Sequence, residues 1–465
     1  MVVEGWLHRA ARMHPGGVAV ESLDGSRTYA ELYAAARAGA GVLAAAGVRA
    51  GDRVAIALEP GLAFAEALHA CLLLGVVAVP VDLRLSAAER ALVCADAPVV
   101  EEPLLGRSAG RRAPDGRGAS GGVAVGEAGA DEGARRERHD LDAVAAVIHT
   151  SGTSAAPRPI ELTYGNFLWS ALGSAVALGL DPRERWLCAL PVAHVGGLSI
   201  LVRSAIYATT AVVHPRFDTG LVLKTLREPD VTLVSLVATT LARLLDAGLE
   251  RPPALRHALT GGGPVPEALV KRAREAGVPV SATYGLTEAC SQVSTGGPPL
   301  FCTRVRIEPI GGGDRSPSAE EQRQRVGEIL VAGPTVAPAS RDPDGWLRTG
   351  DLGSLDERGF LTVSARAADT IVSGGENVAP AEVEAVLEAH PDVLEAAVLG
   401  RSDARWGEAV AAIVVPRPGA QPEAAALRAH CAARLARYKV PKQVDFTGTP
   451  LPRTRSGKLL RRELQ

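Results

Sequence analysis

Lysine is almost missing from this sequence. Of its 50 basic residues only five are lysine (Lys224, Lys271, Lys439, Lys442 and Lys458), so arginine serves wherever a generic cation suffices. A lysine kept in such a chain is either a chance surface residue or one needed as a compact, flexible point charge rather than a planar fork. A basic excess is absent as well: 50 Lys and Arg face 52 Asp and Glu, a net charge of -2, which argues against a nucleic-acid partner. The six cysteines (Cys71, Cys94, Cys188, Cys290, Cys302 and Cys431) form no C-x-x-C pair and show no metal-ligand spacing. That excludes a disulfide scaffold and fits a reduced, cytoplasmic protein with buried thiols. No basic segment followed by an apolar core opens the chain, so a signal peptide is not expected. The most apolar run, 62–81, is broken by Glu66, His69 and Pro80. It reads as a buried helix turning into a strand, not as a membrane span.

What is present alternates. Residues 29–46 have helical periodicity and stop at Gly47; 53–58 reads as a strand, 66–74 as a helix and 76–81 as a strand. Alternation on this scale predicts an α/β sheet built by right-handed crossovers, and 465 residues with 47% hydrophobic content suffice for two or more domains. Over 101–140 Gly, Ala, Arg and Asp dominate without a period, which predicts a surface excursion or flexible connection. Strands follow at 186–191 and 231–237, the second leading to a helix through Leu245. A buried helix is expected over 199–208, and 326–363 reads as short strands or a small barrel. Pro380 stands near the start of a helix behind the Gly374-Gly375 turn.

The stretch His149-Thr150-Ser151-Gly152-Thr153-Ser154-Ala155-Ala156-Pro157-Arg158 follows a buried-strand pattern over 141–148. It leads to a helix capped by Thr163 or Asn166. Hydroxyls and a glycine with a cation close behind can cradle a phosphate; in isolation a Ser/Thr-rich turn is an equal reading. The Gly-Lys-Ser/Thr of a P-loop is missing. His194, before Gly196 and Gly197, is either a structural histidine or the wall of a ligand pocket. Arg203, alone among apolar neighbours, must find a protein carboxylate or a substrate anion.

Four further stretches accompany the loop: Tyr284-Gly-Leu-Thr-Glu288, Arg348-Thr-Gly-Asp351, the segment from Arg366 to Glu384, and Pro452-Arg-Thr-Arg-Ser-Gly-Lys458. In this order the five resemble the signatures of the adenylate-forming acyl-CoA synthetases, whose ATP loop usually reads Thr-Ser-Gly-Thr-Thr-Gly-x-Pro-Lys. Ala155 and Arg158 depart from that pattern. The resemblance implies a large N-terminal domain of α/β sheets plus a small barrel-like part (1–364), and a small, mobile α+β C-terminal domain (365–465), with the active site in the cleft. It implies that Thr150, Ser151, Gly152, Thr153 and Ser154 hold the ATP phosphates. Gly261, Gly262 and Gly263 would lie against adenine, with Tyr284 stacked on it beside Gly285. Thr287 would bind phosphate, Glu288 would hold Mg²⁺, Asp351 would accept from the ribose hydroxyls, and Arg366 would mark the hinge and touch ATP. The hinge position two residues on, often acidic or lysine in the family, is Ala368 here.

The implied reaction has two steps, adenylation of a carboxylic acid by MgATP and displacement of AMP by coenzyme A, with Lys458, Glu288 and Thr153 as the catalytic residues. Residues 190–207 and 288–292 resemble most the o-succinylbenzoate–CoA ligases of menaquinone biosynthesis. His194, Gly197, Ser199, Arg203 and Ser291 would then line the acid pocket. A ligase for another aryl or fatty acid, or a free-standing adenylation protein that loads a carrier protein, are the alternatives. The expected partner is a small carboxylic acid, without nucleic acid or membrane; association into a homo-oligomer stays open. Lys458→Ala is expected to abolish adenylate formation while sparing thioester formation from a pre-made acyl-adenylate. Pyrophosphate and thioester assays run separately check this, and an equal fall in both would remove the assigned role.

Overall fold

The computed structural model describes residues 1–85, 87–105, 137–150, 158–263, 265–309, 326–366, 371–373, 376–378, 380–403, 407–435, 437, 439–453 and 459–464. Contacts divide the chain into two units, Met1–Arg304 with Val331–Leu347, and Val305–Leu330 with Arg348–Gln465. The segments 305–330 and 348–364, which lie before the 364/365 boundary read from sequence, thus group with the C-terminal residues.

The first unit is built on two sheets. An eight-stranded sheet runs, edge to edge, Ser291–Thr295, Val280–Leu286, His257–Thr260, Leu233–Leu236, Arg185–Cys188, Thr210–Val213, Val18–Ser22 and Gly25–Thr28. Its six inner strands are parallel and both edges are antiparallel. A five-stranded sheet has the order Val99–Val100, Arg53–Ile56, Val77–Pro80, Val144–Thr150 and Arg158–Thr163. The short, continuously apolar runs become strands because both faces are covered. Trp186 and Cys188 enter one core cluster while Leu187 enters another. Likewise Val54 and Ile56 face the first cluster and Ala55 a third. The shared cluster lies between the sheets and holds the buried sides of the helices Tyr29–Ala45, Leu62–Leu74 and Val195–Tyr207. The 62–81 run is therefore a buried helix followed by the Val77–Pro80 strand, as its pattern predicts.

Two features were not legible. Arg158–Thr163 is a strand that pairs antiparallel with Val144–Thr150. The Ser/Thr/Gly stretch thus lies between the strands of a hairpin, not between a strand and a helix. The cue was the alternation of buried Ile160 and Leu162 with partly exposed Glu161. The excursion expected over 101–140 falls mostly on residues outside the description, but its end is ordered: Arg138–Asp140 pairs antiparallel with Val2–Glu4.

In the second unit a four-stranded sheet, Arg304–Pro309, Gly327–Ala332, Leu347–Leu355 and Leu361–Arg366, occupies the place of the expected barrel-like part. A five-stranded sheet of Ile371–Ser373, Glu376–Val378, Val393–Asp403, Gly407–Pro416 and Gln443–Phe446 buries Val398, Val410 and Val414 with the helices Pro380–Glu388 and Ala424–Ala432. No helix of the described residues is long and apolar enough to cross a membrane.

Helix starts follow local chemistry. Thr28 and Glu31 form a reciprocal capping box on the Tyr29–Ala45 helix: the Thr28 Oγ1 accepts from Glu31 N–H at 3.3 Å, and Glu31 Oε2 accepts from Thr28 N–H at 2.8 Å. Thr28→Ala is expected to cost about 1 kcal/mol in urea unfolding. A change below a few tenths would mean that packing alone starts this helix.

Candidate active site

The parallel strands His257–Thr260 and Val280–Leu286 end side by side, with Thr260 opposite Ala282. Loops at the carboxyl ends of parallel strands are where open α/β sheets bind ligands. Here the first strand runs into Gly261-Gly262-Gly263 and the second into half-buried Tyr284, Gly285, Thr287 and Glu288. Gly261 is buried, and a Cβ there would collide with the Thr283 carbonyl; Gly263 has no atom within 4 Å of such a position. The glycine run therefore lies along the strand that carries Tyr284, with one member packed and one open. Gly285 is equally constrained, since a Cβ on it would collide with the Ser291 carbonyl.

Glu288 sits in a single 3-10 turn, Thr287–Ala289, closed by a 3.0 Å hydrogen bond from Cys290 N–H to the Thr287 carbonyl. The next two residues, Cys290 and Ser291, have φ of +50° and +89°, a left-handed pair that is costly for residues with a Cβ. Glu288 forms no ion pair among the described residues, so its carboxylate is available to a cation. Thr150 ends its strand opposite Arg158. Ser151, Gly152, Thr153, Ser154 and Lys458 lie outside the described residues, as does the side chain of Arg366.

A second group gathers on the helix Val195–Tyr207. His194 is its N-cap residue, exposed, and its carbonyl accepts from the N–H groups of Gly197 and Leu198 at 3.0 Å each. Surrounding protein desolvates the His194 ring and lowers its pKa; Asp82 opposes this and Arg84 adds to it. The ring is therefore neutral at pH 7. Asp82 and Arg84 form their own ion pair at 2.6 Å. Gly197 is buried, its Cα against the Pro191 carbonyl.

One turn apart on the same helix stand Ser199 and Arg203, at 1% and 2% exposure. The Ser199 Oγ and the Arg203 Nε have no hydrogen-bond partner among the described residues. Arg203 lies over the Trp186 ring at 5.6 Å and donates through one terminal nitrogen to Ser170 Oγ at 2.8 Å. No carboxylate within ion-pair distance of it occurs among the described residues. Burial lowers its pKa, and the guanidinium nonetheless stays charged. The internal ion pair that sequence allowed for Arg203 is thus absent among the described residues; the aromatic face and a hydroxyl take its place. Burial also pushes the thiols of nearby Cys188 and Cys290 up to about 12, which makes neither a nucleophile.

Asp351 belongs to the second unit. It is 7% exposed in the strand Leu347–Leu355, its N–H donates to Thr349 Oγ1 at 3.0 Å, and its backbone faces that of Arg366. Arg348 is bound to Glu308 and Glu328, and Thr349 Oγ1 donates to the Ile329 carbonyl at 2.7 Å. The Arg-Thr-Gly-Asp stretch is therefore a braced strand segment and not a free turn. Sequence reasoning gave no site role to Ser170 and Trp186, which touch the Arg203 guanidinium, and expected Asn166 only as a helix cap, although its amide also donates to the Pro334 and Val336 carbonyls.

Two parallel-strand termini with a glycine run, an aromatic and an acidic turn, and a buried cation joined to that turn through Ser170, fit a nucleotide-dependent enzyme that accepts an anion. The sequence matches the AMP-binding enzyme family over residues 7–339 and the AMP-binding enzyme C-terminal domain over residues 382–458, and the chain belongs to that family. It is 41% identical over 487 aligned positions to the 2-succinylbenzoate–CoA ligase of Geobacillus kaustophilus, covering 99% of this chain and 97% of the relative. The o-succinylbenzoate CoA synthetase (MenE) of Bacillus subtilis in complex with the acyl-adenylate intermediate OSB-AMP superposes with a TM-score of 0.87 at 36% identity, covering 100% and 98% of the two chains. Its complex with ATP and magnesium ion gives 0.85 at 36% identity, covering both chains fully.

Gly285→Ala tests the tight turn. Both colliding atoms are backbone, so the turn bearing Glu288 has to move. Pyrophosphate release with acid and MgATP is expected to fall roughly a hundredfold, with circular dichroism unchanged. A parent-like rate would mean that the turn has room to spare.

Proposed function

We propose that this chain is an o-succinylbenzoate–CoA ligase of menaquinone biosynthesis that works through an acyl-adenylate. It is an acid–thiol ligase that uses ATP, Mg²⁺ and coenzyme A. In the first step a carboxylate oxygen of the succinyl arm attacks the α-phosphorus of ATP and pyrophosphate leaves. In the second the thiolate of coenzyme A attacks the acyl carbon and AMP leaves, its phosphate taking the electron pair. Neither step needs a protein nucleophile. Catalysis is positioning and neutralisation of charge.

The residue roles follow the sequence reading. Thr150, Ser151, Gly152, Thr153 and Ser154 cradle the phosphates, the 261–263 glycines and Tyr284 hold adenine, Asp351 takes the ribose, and Lys458 neutralises charge at phosphorus. Glu288 would be an oxygen ligand of Mg²⁺, which supplies charge neutralisation on the phosphates. The carboxylate of Glu288, which has no ion pair among the described residues, fits that use. The functional division is at 364/365. The protein acts in the cytoplasm, where ATP and coenzyme A are found, without nucleic acid or membrane; all six cysteines are free.

The observation that carries the substrate assignment is the buried Arg203 guanidinium with an unsatisfied Nε, one turn from the unsatisfied Ser199 hydroxyl. Substrates with an apolar tail would leave that charge uncompensated, whereas a second, ring-borne carboxylate can accept from both groups. Arg203→Met is expected to lose about 2–3 kcal/mol of transition-state binding on o-succinylbenzoate, or roughly thirtyfold to 150-fold in kcat/KM. An analogue lacking the ring carboxylate should lose little. Equal losses on both would make Arg203 structural, and a parent that prefers the monocarboxylate would overturn the substrate assignment.

A further inference from the structure

Among the buried polar side chains of the helix Tyr164–Leu178 are Asn166 and Ser170, at 2% and 1% exposure. They are four residues apart and so share one face. Neither serves the helix core, and each reaches backbone distant in sequence. Asn166 Nδ2 donates to the carbonyls of Pro334 and Val336 at 2.8 and 3.1 Å. The next residue along that segment, Ala337, donates its N–H to the Glu288 carbonyl at 2.7 Å. Ser170 Oγ donates to the Cys290 carbonyl at 2.6 Å. Its donor role is fixed by the inventory of a hydroxyl: Arg203 already donates to it, so its single proton goes to Cys290.

The Glu288 turn is thus held at Glu288 by the segment that Asn166 fixes, and two residues later by Ser170 directly. The grip falls where the chain needs it. Cys290 and Ser291 are held at positive φ, a conformation that persists only where surroundings over-determine it. Asn166 is itself immobile, because its Oδ1 accepts from Thr163 N–H at 2.9 Å while its own N–H donates to Thr163 Oγ1 at 3.1 Å. The helix cap and the clamp are one device.

We propose that Asn166 and Ser170 are positioning residues, which hold the backbone at Glu288, through the 334–337 segment, and at Cys290, and so set the direction in which the Glu288 carboxylate meets the metal of MgATP. This rests on the reading of Glu288 as the metal-binding carboxylate. Groups that orient a metal ligand change metal affinity by roughly tenfold to a hundredfold when removed.

The test is calorimetric binding of ATP, with Mg²⁺ and with EDTA, to the full chain without acid substrate, so that Arg203 has no ligand to meet. The ratio of the two Kd values measures the advantage that Mg²⁺ confers. Ser170→Ala and Asn166→Ala are each expected to shrink that ratio roughly tenfold while the Kd in EDTA holds. In a Glu288→Gln background neither should add to the effect. A parent-like ratio in Ser170→Ala, with a lowered melting temperature alone, overturns the proposal and leaves Ser170 a packing residue. An unchanged ratio in Glu288→Gln overturns the reading of Glu288 and the proposal with it, and is seen without either helix variant. Should Asn166→Ala fail to fold, Ser170→Ala, which removes a single oxygen atom from the helix, decides alone.

Discussion

A guanidinium enclosed to 2% exposure has to be compensated by whatever is packed around it, and much of the first unit's interior answers to Arg203. An isolated buried charge costs far more than a fold can spare, so its neighbours are polar or polarisable. The Trp186 face lies 5.6 Å away, and that indole is held in turn by its Nε1 donating to Ser235 Oγ at 3.0 Å on the adjoining parallel strand. Ser170 accepts from the guanidinium and passes the polarity on to Cys290. One charge thereby connects the middle of the eight-stranded sheet, the Tyr164–Leu178 helix and the acidic turn at its edge. The Nε without a hydrogen-bond partner among the described residues leaves the guanidinium a bond to give to a ligand.

Sheet architecture explains why binding groups gather where they do. Strands covered on both faces cannot expose functional side chains along their length, so chemistry moves to their ends. The glycine run and the Tyr284 to Glu288 segment are such ends, and in both the missing side chains are explained first by backbone crowding. Gly261 and Gly285 let neighbouring strands approach; Gly263 leaves open surface. A glycine in a nucleotide-binding motif thus answers to packing as well as to its ligand.

Several elements could be read before any coordinates. The 53–58 and 76–81 runs, the helix stop at Gly47 and the Thr163 cap depend on neighbours within a few residues, and period, turn residues and capping chemistry report such neighbours directly. The motifs were equally legible, since each is contiguous and their order is linear. The return strand Arg158–Thr163 was missed because two alternations of apolar and polar residues are too short to stand out beside a cap. The Val2–Glu4 and Arg138–Asp140 pair was missed because its partners lie more than 130 positions apart.

Sequence by itself determined the family to which this protein belongs, because contiguous motifs in a fixed order are set by residue identity. Tertiary structure alone decided what Arg203 lies against, which unit residues 305–330 belong to, and that Asn166 and Ser170 grip the turn of Glu288. The physical reason is range. A buried side chain is satisfied by whatever backbone the fold brings within 3 Å, and for Ser170 that carbonyl is 120 residues away in the chain.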